Sequence, residues 1–130
     1  MPGEIAMRYI TVSEALYVHQ HLIERFGGQA GICDLGLIET ALLRPQTGYY
    51  SDTIEEAAAL WESLTMNHGF IDGNKRVGFA CMDLFLELNG YQLEAGRDAT
   101  GDFVLDLLEG GSFAKDALDQ WLRQHVVKAD

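Results

Sequence analysis

Residues 68–80 read His-Gly-Phe-Ile-Asp-Gly-Asn-Lys-Arg-Val-Gly-Phe-Ala, and this stretch opens the helix on which the fold depends. From Gly73 to Asn89 the chain is apolar on almost every side, a pattern typical of a helix buried in a protein core. Gly90 is suited to follow the last turn, because glycine readily adopts the left-handed conformation found there. Asp72 is predicted to cap the first turn. The stretch therefore predicts a buried central helix with polar residues gathered at its start.

The start of this helix has the features of a phosphate-binding site. Unpaired backbone N–H groups in a first turn, together with the positive end of the helix dipole, favour an anion. Lys75 and Arg76 lie in that turn, where each cation is disfavoured by about 0.3–1 kcal/mol unless an anion is bound. Asn74 and the turn N–H groups can donate to phosphoryl oxygens without carrying charge. The pattern predicts that phosphate is bound by Gly73, Asn74, Lys75 and Arg76.

Three nearby residues supply the rest of a group-transfer site. An unperturbed imidazole can take a proton from a hydroxyl near physiological pH, which makes His68 the candidate general base. Asp72 offers carboxylate oxygens to Mg²⁺, which is usually held by one or two carboxylates and by substrate phosphates. Phe70 is expected to anchor the loop to the core. Together these residues can move a phosphorus-centred group onto a hydroxyl.

Each of these residues also has a purely structural interpretation. A single histidine after a helix is often only a favourable cap, and an aspartate before a helix is most simply an N-cap. Lys75 and Arg76 taken alone are ordinary solvated charges. The chemical interpretation rests on the fact that all of them fall within residues 68–76, in an order that suits one reaction.

This order resembles the motif of the Fic superfamily, His-x-Phe-x-(Asp/Glu)-(Gly/Ala)-Asn-(Gly/Lys)-Arg-x-x-Arg. Seven positions match in register: His68, Phe70, Asp72, Gly73, Asn74, Lys75 and Arg76. Lys75 stands where most Fic enzymes have glycine, and Phe79 occupies the place of the last arginine. Both departures resemble the death-on-curing (Doc) branch. Residues 27–36, followed by Glu39, Arg44 and Pro45, are also similar to the N-terminal half of Doc proteins.

The resemblance implies an all-α fold, a compact bundle of about six helices in a single domain over residues 1–130. It also implies a short flap before the third helix that positions the target. Residues 46–51, which include Tyr49 and Tyr50, are the candidate flap. Their other interpretation is a connector with two packing tyrosines.

For function, the resemblance implies the toxin of a toxin–antitoxin pair. Doc-type proteins transfer a phosphoryl group from ATP to a translation elongation factor, and a partner antitoxin blocks them with a segment that folds on binding. Carried onto this chain, His68 is the general base, Asp72 the Mg²⁺ ligand and residues 73–76 the ATP phosphate site.

Two other functions remain open. The same fold can transfer AMP to a protein hydroxyl, although Phe79 in place of the last motif arginine disfavours this reaction. A catalytically silent domain that binds an antitoxin or a nucleotide is the second alternative, and the intact His68 and Asp72 argue against it. The sequence lacks the inhibitory motif (Ser/Thr)-x-x-x-Glu-(Gly/Asn) of some Fic proteins, so inhibition is expected to come from another chain.

The amino-acid composition leads to expectations about binding partners and cellular location. The net charge of −11 over 130 residues disfavours direct binding to DNA, RNA or an anionic membrane, and suggests a basic docking segment on the antitoxin. No long apolar run predicts a membrane span, and the N-terminus lacks the features of a signal peptide. A cytoplasmic protein is therefore expected, with Cys33 and Cys81 as reduced thiols.

The other helices are predicted from their starts and stops. Thr11 and Glu14 form a capping box, and Asp34 and Asp52 are expected to start the second and third helices. His19 lies on the apolar stripe of the first helix and is expected to be buried and hydrogen-bonded, whereas His21 is expected to be solvated. The last two helices are predicted at residues 98–109 and 113–127, the latter capped by Ser112, and no strand is predicted.

Overall fold

Six α-helices follow one another in the computed structural model, which describes residues 7–129. They are α1 (Val12–Phe26), α2 (Leu35–Leu43), α3 (Thr53–Met66), α4 (Asn74–Leu88), α5 (Arg97–Glu109) and α6 (Lys115–His125). The all-α prediction is confirmed. Residues 1–6 and Asp130 lie outside the described residues. They include both ends of the predicted domain and the N-terminal residues from which the absence of a signal peptide was predicted. Among residues 7–129, no helix is long and apolar enough to cross a membrane.

The first three helices start where the sequence predicts. The Thr11 hydroxyl accepts from the Glu14 N–H while the Glu14 carboxylate accepts from the Thr11 N–H, which completes the capping box. Asp34 caps α2 by accepting from the Leu37 N–H at 3.3 Å. Asp52 caps α3 in the same way. Each cap satisfies an otherwise unpaired donor and typically stabilises a helix by about 1 kcal/mol.

The centre of the fold is the pair α3 and α4. Gly78 allows the two helices to approach closely, because a Cβ there would lie 2.3 Å from the Thr65 hydroxyl oxygen and 3.3 Å from the carbonyl oxygen of Trp61. Trp61 and Phe85 are buried on this pair, as expected of core residues. The start of α4, where the motif lies, is therefore attached to a closely packed part of the core.

A small sheet corrects the prediction that the chain contains no strand. Strand β1 (Tyr91–Leu93) pairs antiparallel with strand β2 (Val126–Lys128), with Gln92 opposite Val127. The sixth helix accordingly ends at His125 rather than at Val127. Strands of three residues are too short to show the apolar alternation by which a strand is recognised in sequence.

The start of α6 also differs from the prediction. The helix begins at Lys115 after Ala114, and no side chain caps it. The Ser112 hydroxyl, expected to be the cap, instead donates to the carbonyl of Gly110 within the preceding turn. A serine after two glycines satisfies its own turn as readily as a helix start, and sequence alone does not separate the two.

The predicted flap is misplaced. Residues 46–51 lie at the start of α3, whereas the motif follows its end, about 20 Å away along a helix of 14 residues. Tyr50 accepts a hydrogen bond from Arg44 Nε at 2.8 Å and belongs to the packing there, while Tyr49 is 87% exposed. The connector interpretation therefore fits residues 46–51, and a different segment contacts the motif.

Candidate active site

The motif loop, residues 68–73, joins the end of α3 to the start of α4. His68 has a φ of 54°, in the left-handed region that few residues other than glycine adopt, and its side chain is exposed. Asn67 steadies the turn by donating from Nδ2 to the Leu37 carbonyl at 3.3 Å. A Cβ on Gly69 would lie 2.5 Å from Ile38 Cγ1, so the loop fits closely against the start of α2. These contacts hold the turn in place, and the His68 side chain points to solvent.

Residues 31–34 run antiparallel beside the motif loop and take the place expected of the flap. The N–H groups of Cys33 and Asp34 both donate to the Gly69 carbonyl, at 2.8 and 2.9 Å. The Ile71 N–H donates to the Gly31 carbonyl at 3.1 Å. Ile32 and Phe70 form an isolated bridge between the two segments. The loop backbone is therefore fixed on one side by hydrogen bonds.

Phe70 and Asn74 fix the loop on its inner side. Phe70 is 2% exposed, as its anchoring role requires. The Asn74 amide accepts from the Phe70 N–H and donates to the Phe70 carbonyl, both at 3.0 Å. Both polar atoms of the buried Asn74 amide thus bond to Phe70 and use one of its two N–H donors, and donation of the other to phosphoryl oxygens stays a prediction. Asn74 can meet an anion through its backbone N–H, which is unpaired in a first helical turn.

Asp72 is not the N-cap that the sequence predicts. Gly73 occupies that position, with φ 81° and ψ 15°, and no side chain caps the helix. The Asp72 carboxylate accepts from the N–H groups of Gln29 at 3.1 Å and Gly73 at 2.8 Å. These two bonds, and more weakly the charge of Arg76, lower the pKa of Asp72. An aspartate needs β-region backbone to cap a helix, and the left-handed Gly73 moves the helix start one residue later.

The Asp72 side chain fits a hard divalent cation. It is exposed, its lowered pKa keeps it ionised at neutral pH, and each oxygen accepts one N–H and retains a second lone pair. Within the described part of the chain there is no cluster of three or more metal-binding side chains. Mg²⁺ does not require one, because it is commonly held by one or two carboxylates with waters and substrate phosphates.

Lys75 and Arg76 both lie in the uncapped first turn of α4. Lys75 is exposed. Arg76 donates from Nη1 to the Gly27 carbonyl at 3.1 Å and lies over the ring of Phe26, 6.0 Å from its centroid. The structure thus brings together a carboxylate, free N–H groups and two cations at one helix start, with His68 at the other end of the same loop.

Gly28 makes this arrangement possible. Its φ of +114° disfavours any side chain, and a Cβ there would lie 2.9 Å from Asp72 Oδ2. The same Cβ would be 3.4 Å from Arg76 Nη2. In the sequence, Gly27 and Gly28 directly follow Phe26, the last residue of α1. A pair of glycines after a helix is also a signal for close backbone approach, and here it allows Gln29 to reach Asp72.

An apolar groove opens beside Lys75 and Arg76 and was not predicted from the sequence. It has a volume of about 880 Å³ and runs between α1, α4 and α5. Its lining residues are Leu22, Phe26, Trp61, Thr65, Lys75, Arg76, Phe79, Ala80, Arg97, Thr100, Gly101, Val104, Leu105, Leu108 and Phe113. Within the part of the chain that the structure describes, the lining includes three cations and no acidic residue. None of the side chains of α5 is fully buried, so this helix leaves the groove open.

Comparison with known proteins agrees with this geometry. A family profile described as Fic/DOC family matches residues 9–86, which include α1 to α3, the motif loop and α4 as far as Leu86. The chain is 42% identical over 78 residues to Toxin Doc of Mycolicibacterium smegmatis, covering 56% of this chain and 60% of that protein. It is 33% identical over 91 residues to Protein kinase doc of Escherichia phage P1, covering 67% of this chain and 72% of that protein.

The matched segment therefore spans less than two thirds of the Mycolicibacterium protein, and it spans more of the phage protein. The family profile takes in more than half of the 130 residues, including every position of the motif. The seven matching motif residues lie on one loop and one helix start, as a shared site requires. This chain belongs to the Fic/DOC family.

Proposed function

We propose that this protein is a toxin that transfers the γ-phosphoryl group of ATP to a hydroxyl of a protein target, a translation elongation factor by resemblance. One observation carries the proposal. A single rigid loop presents an exposed histidine at one end and, at the other, an uncapped helix start with Asp72, Lys75 and Arg76. A base beside an anion site is what transfer from a nucleotide to a hydroxyl requires.

The proposed reaction moves the γ-phosphoryl group from ATP to the oxygen of a target hydroxyl. The target hydroxyl loses its proton to His68 while its oxygen attacks the γ-phosphorus. The bond between that phosphorus and the bridging oxygen breaks, and ADP leaves with the electron pair. Lys75, Arg76 and the free N–H groups of α4 offset the negative charge of the phosphates throughout. When bound, Mg²⁺ held by Asp72 would neutralise phosphate charge and orient the transferred group.

The surroundings of His68 favour a protein as the acceptor. Ile32 and Ile71 lie on the two paired segments beside it, and Leu35 follows Asp34, which bonds to Gly69. These three apolar side chains are between 42% and 47% exposed. An exposed apolar patch of this kind marks a contact surface for a macromolecule more often than for a small polar acceptor.

An antitoxin segment is proposed to cover the apolar groove. Thr65 lies at the base of this groove, is buried, and its hydroxyl has no hydrogen-bond partner among the described residues, so a docked segment can supply one. The cations Lys75, Arg76 and Arg97 favour acidic groups on the part of the segment that reaches them. This replaces the expectation of a basic segment, which followed from net charge alone.

Labelled ATP tests the reaction. The protein is incubated with Mg²⁺, a cell extract as the source of targets, and ATP labelled at either the α- or the γ-phosphate. Label transferred only from the γ-phosphate supports the proposal, and label from the α-phosphate would establish AMP transfer instead. No protein labelled from either nucleotide, with a growing host unaffected by expression, would establish the silent domain.

A further inference from the structure

His19 contacts the motif loop from the opposite side to the solvent. It lies on α1, is 4% exposed, and is outside the sequence motif. Its ring packs nearly parallel to Phe70, with 3.9 Å between the ring centroids and 12° between the planes. Its Nε2 lies 2.7 Å from the carbonyl oxygen of Asp72. Since a carbonyl oxygen only accepts hydrogen bonds, Nε2 carries the proton and donates it.

This bond completes a three-point attachment of Asp72. The carbonyl is held by His19, and the two carboxylate oxygens are held by the N–H groups of Gly73 and Gln29. Two of the three donors come from α1 and the loop that follows it, far from the motif in sequence. The backbone and side chain of Asp72 are thus fixed separately, and the direction of the free lone pairs is set before any ligand binds.

Packing alone does not require a histidine here. A phenylalanine ring would pack against Phe70 and fill the same buried space. Only the donor at Nε2 reaches the Asp72 carbonyl, and without it that partly buried carbonyl would lose its partner beside Gly73, whose Cβ position is 3.6 Å from the His19 ring. The peptide between Asp72 and Gly73 is also the peptide that leads into the left-handed start of α4.

We infer that His19 is a positioning residue for the binding of metal-bound nucleotide. Its ring fixes Phe70, its Nε2–H fixes the main chain of Asp72, and together they aim the Asp72 carboxylate at the start of α4. This inference rests on the proposed function, because it assigns Asp72 to Mg²⁺. Outer groups that orient a metal ligand typically change metal affinity or activity by about 10–100-fold when they are replaced.

Three substitutions separate the donor from the ring. His19→Phe keeps a flat buried ring and removes the donor. His19→Gln loses the ring and keeps an amide N–H near the position of Nε2, whereas the shorter His19→Asn places its amide too far from the Asp72 carbonyl. His21→Gln is the matched control, since His21 is exposed on the same helix. Melting temperatures of the free proteins report on the fold.

The readout is binding of ATP by calorimetry, with and without Mg²⁺, and it does not depend on transfer. We expect His19→Phe and His19→Asn to raise the dissociation constant of Mg·ATP about 10–100-fold, and His19→Gln to recover most of the loss. Binding of ATP without Mg²⁺, which uses Lys75, Arg76 and the α4 N–H groups, should change little. His21→Gln should behave as the wild type.

Several outcomes would overturn the inference. Wild-type affinity for Mg·ATP in His19→Phe would make His19 a core residue only. Equal losses in the Gln and Asn variants would assign the effect to packing, and this comparison decides the matter even where the Phe variant fails to fold. A wild-type protein that binds no Mg·ATP would defeat the proposed function as well, whereas normal wild-type binding with unaffected variants defeats only the role of His19.

Discussion

At the scale of single residues, His68 is distinguished by its backbone. A left-handed conformation is unfavourable for a histidine, and here it is held by the contacts of Asn67 and Gly69 with α2. Strain maintained in this way at an exposed histidine supports the proposed role of its side chain in the reaction. The same turn would be satisfied at lower energy by glycine.

Replacing His68 tests the base directly. We expect His68→Ala to reduce transfer about 10²–10⁴-fold, because that is the usual contribution of a positioned base. The melting temperature should change little, since alanine loses no contact of an exposed side chain and keeps the same left-handed backbone. His21→Ala, also exposed, is the control. Full transfer and full growth inhibition by His68→Ala would remove His68 from the mechanism.

Replacing Asn74 tests two roles of its side chain, the phosphate contact predicted from the sequence and the bonds to Phe70 seen in the structure. Asn74→Ala removes both partners of the buried Phe70 backbone, so we expect unfolding free energy to fall by about 1–3 kcal/mol per group left unpaired. Chemical denaturation measures this loss. If stability is unchanged and only nucleotide affinity falls, the Asn74 side chain contacts phosphate as the sequence predicted, and its pairing with Phe70 is replaced on binding.

The residues that sequence reasoning missed all reach the motif from a distance. Gln29 and His19 bond to Asp72 across 43 and 53 positions of the chain. Sequence identified His19 as buried and hydrogen-bonded, because it interrupts an apolar stripe, but could not name its partner. Adjacent motif residues are visible in sequence, whereas contacts between α1 and the loop depend on how the helices pack.

At the scale of secondary structure elements, the start of α4 combines two cations with an uncapped helix end. Phosphate or Mg·ATP should therefore raise the melting temperature by mass action. Lys75→Ala should weaken that rise and leave the free protein as stable or slightly more stable. Arg76→Ala should weaken the rise further and also destabilise the free protein, since Arg76 bonds to Gly27.

Thermal shift assays across ligand concentration check these changes. Arg8→Ala serves as a control cation, because Arg8 pairs with Glu14 before α1 rather than at the α4 start. An equal ligand-induced rise in the wild type and in both α4 variants would place the anion elsewhere on the molecule.

The joint between α3 and α6 predicts a dependence of stability on pH. Glu55 accepts from Lys115 Nζ at 2.6 Å and from the Ser51 N–H and hydroxyl, which lowers its pKa from 4.5 to about 2. A folded pKa below the unfolded value means that Glu55 stabilises the protein above pH 4.5 and loses this effect as pH falls towards 2.

We therefore expect Glu55→Gln to be less stable than the wild type at neutral pH, with the difference vanishing as pH falls through that window. Denaturant unfolding at several pH values measures it. Glu109→Gln is the control, because the Glu109 carboxylate forms no ion pair within the described residues. A constant difference between Glu55→Gln and wild type from pH 7 to pH 2 would contradict the assignment.

Prediction of the elements succeeded where local signals determine them. Thr11, Asp34 and Asp52 cap α1, α2 and α3 through bonds to residues three positions away, so the information is local. It failed at β1 and β2, which exist because Tyr91–Leu93 meets a segment at the far end of the chain. It failed again for the flap, since only tertiary pairing shows that residues 31–34 lie against Gly69.

At the scale of the whole molecule, net charge and local charge have opposite signs. The chain carries −11 overall, with nine basic residues. Three of these nine line the apolar groove, and no acidic residue among the described positions 7–129 does so. In the proposed docking, the overall charge would influence the approach of a partner at low salt, while the groove cations would favour acidic groups on the segment in contact. This is why the groove leads to a proposed acidic docking segment, whereas composition alone led to the expectation of a basic one.

The groove predicts how inhibition can be separated from activity. Leu105 lines it and is 52% exposed, so Leu105→Glu leaves the core intact while placing a carboxylate in the path of an apolar segment. Leu43, 60% exposed on α2, lies outside the groove and gives the matched control Leu43→Glu. Both variants should slow growth as the wild type does.

Co-expression with the proposed antitoxin, sought as the product of a small open reading frame adjacent to the gene, should then rescue growth for wild type and Leu43→Glu but not for Leu105→Glu. Burial of a leucine contributes about 1.5–3 kcal/mol, so the dissociation constant of the complex should rise about tenfold or more. Equal rescue of both variants would exclude the groove as the docking surface and leave the exposed patch beside His68 as the surface that the antitoxin covers.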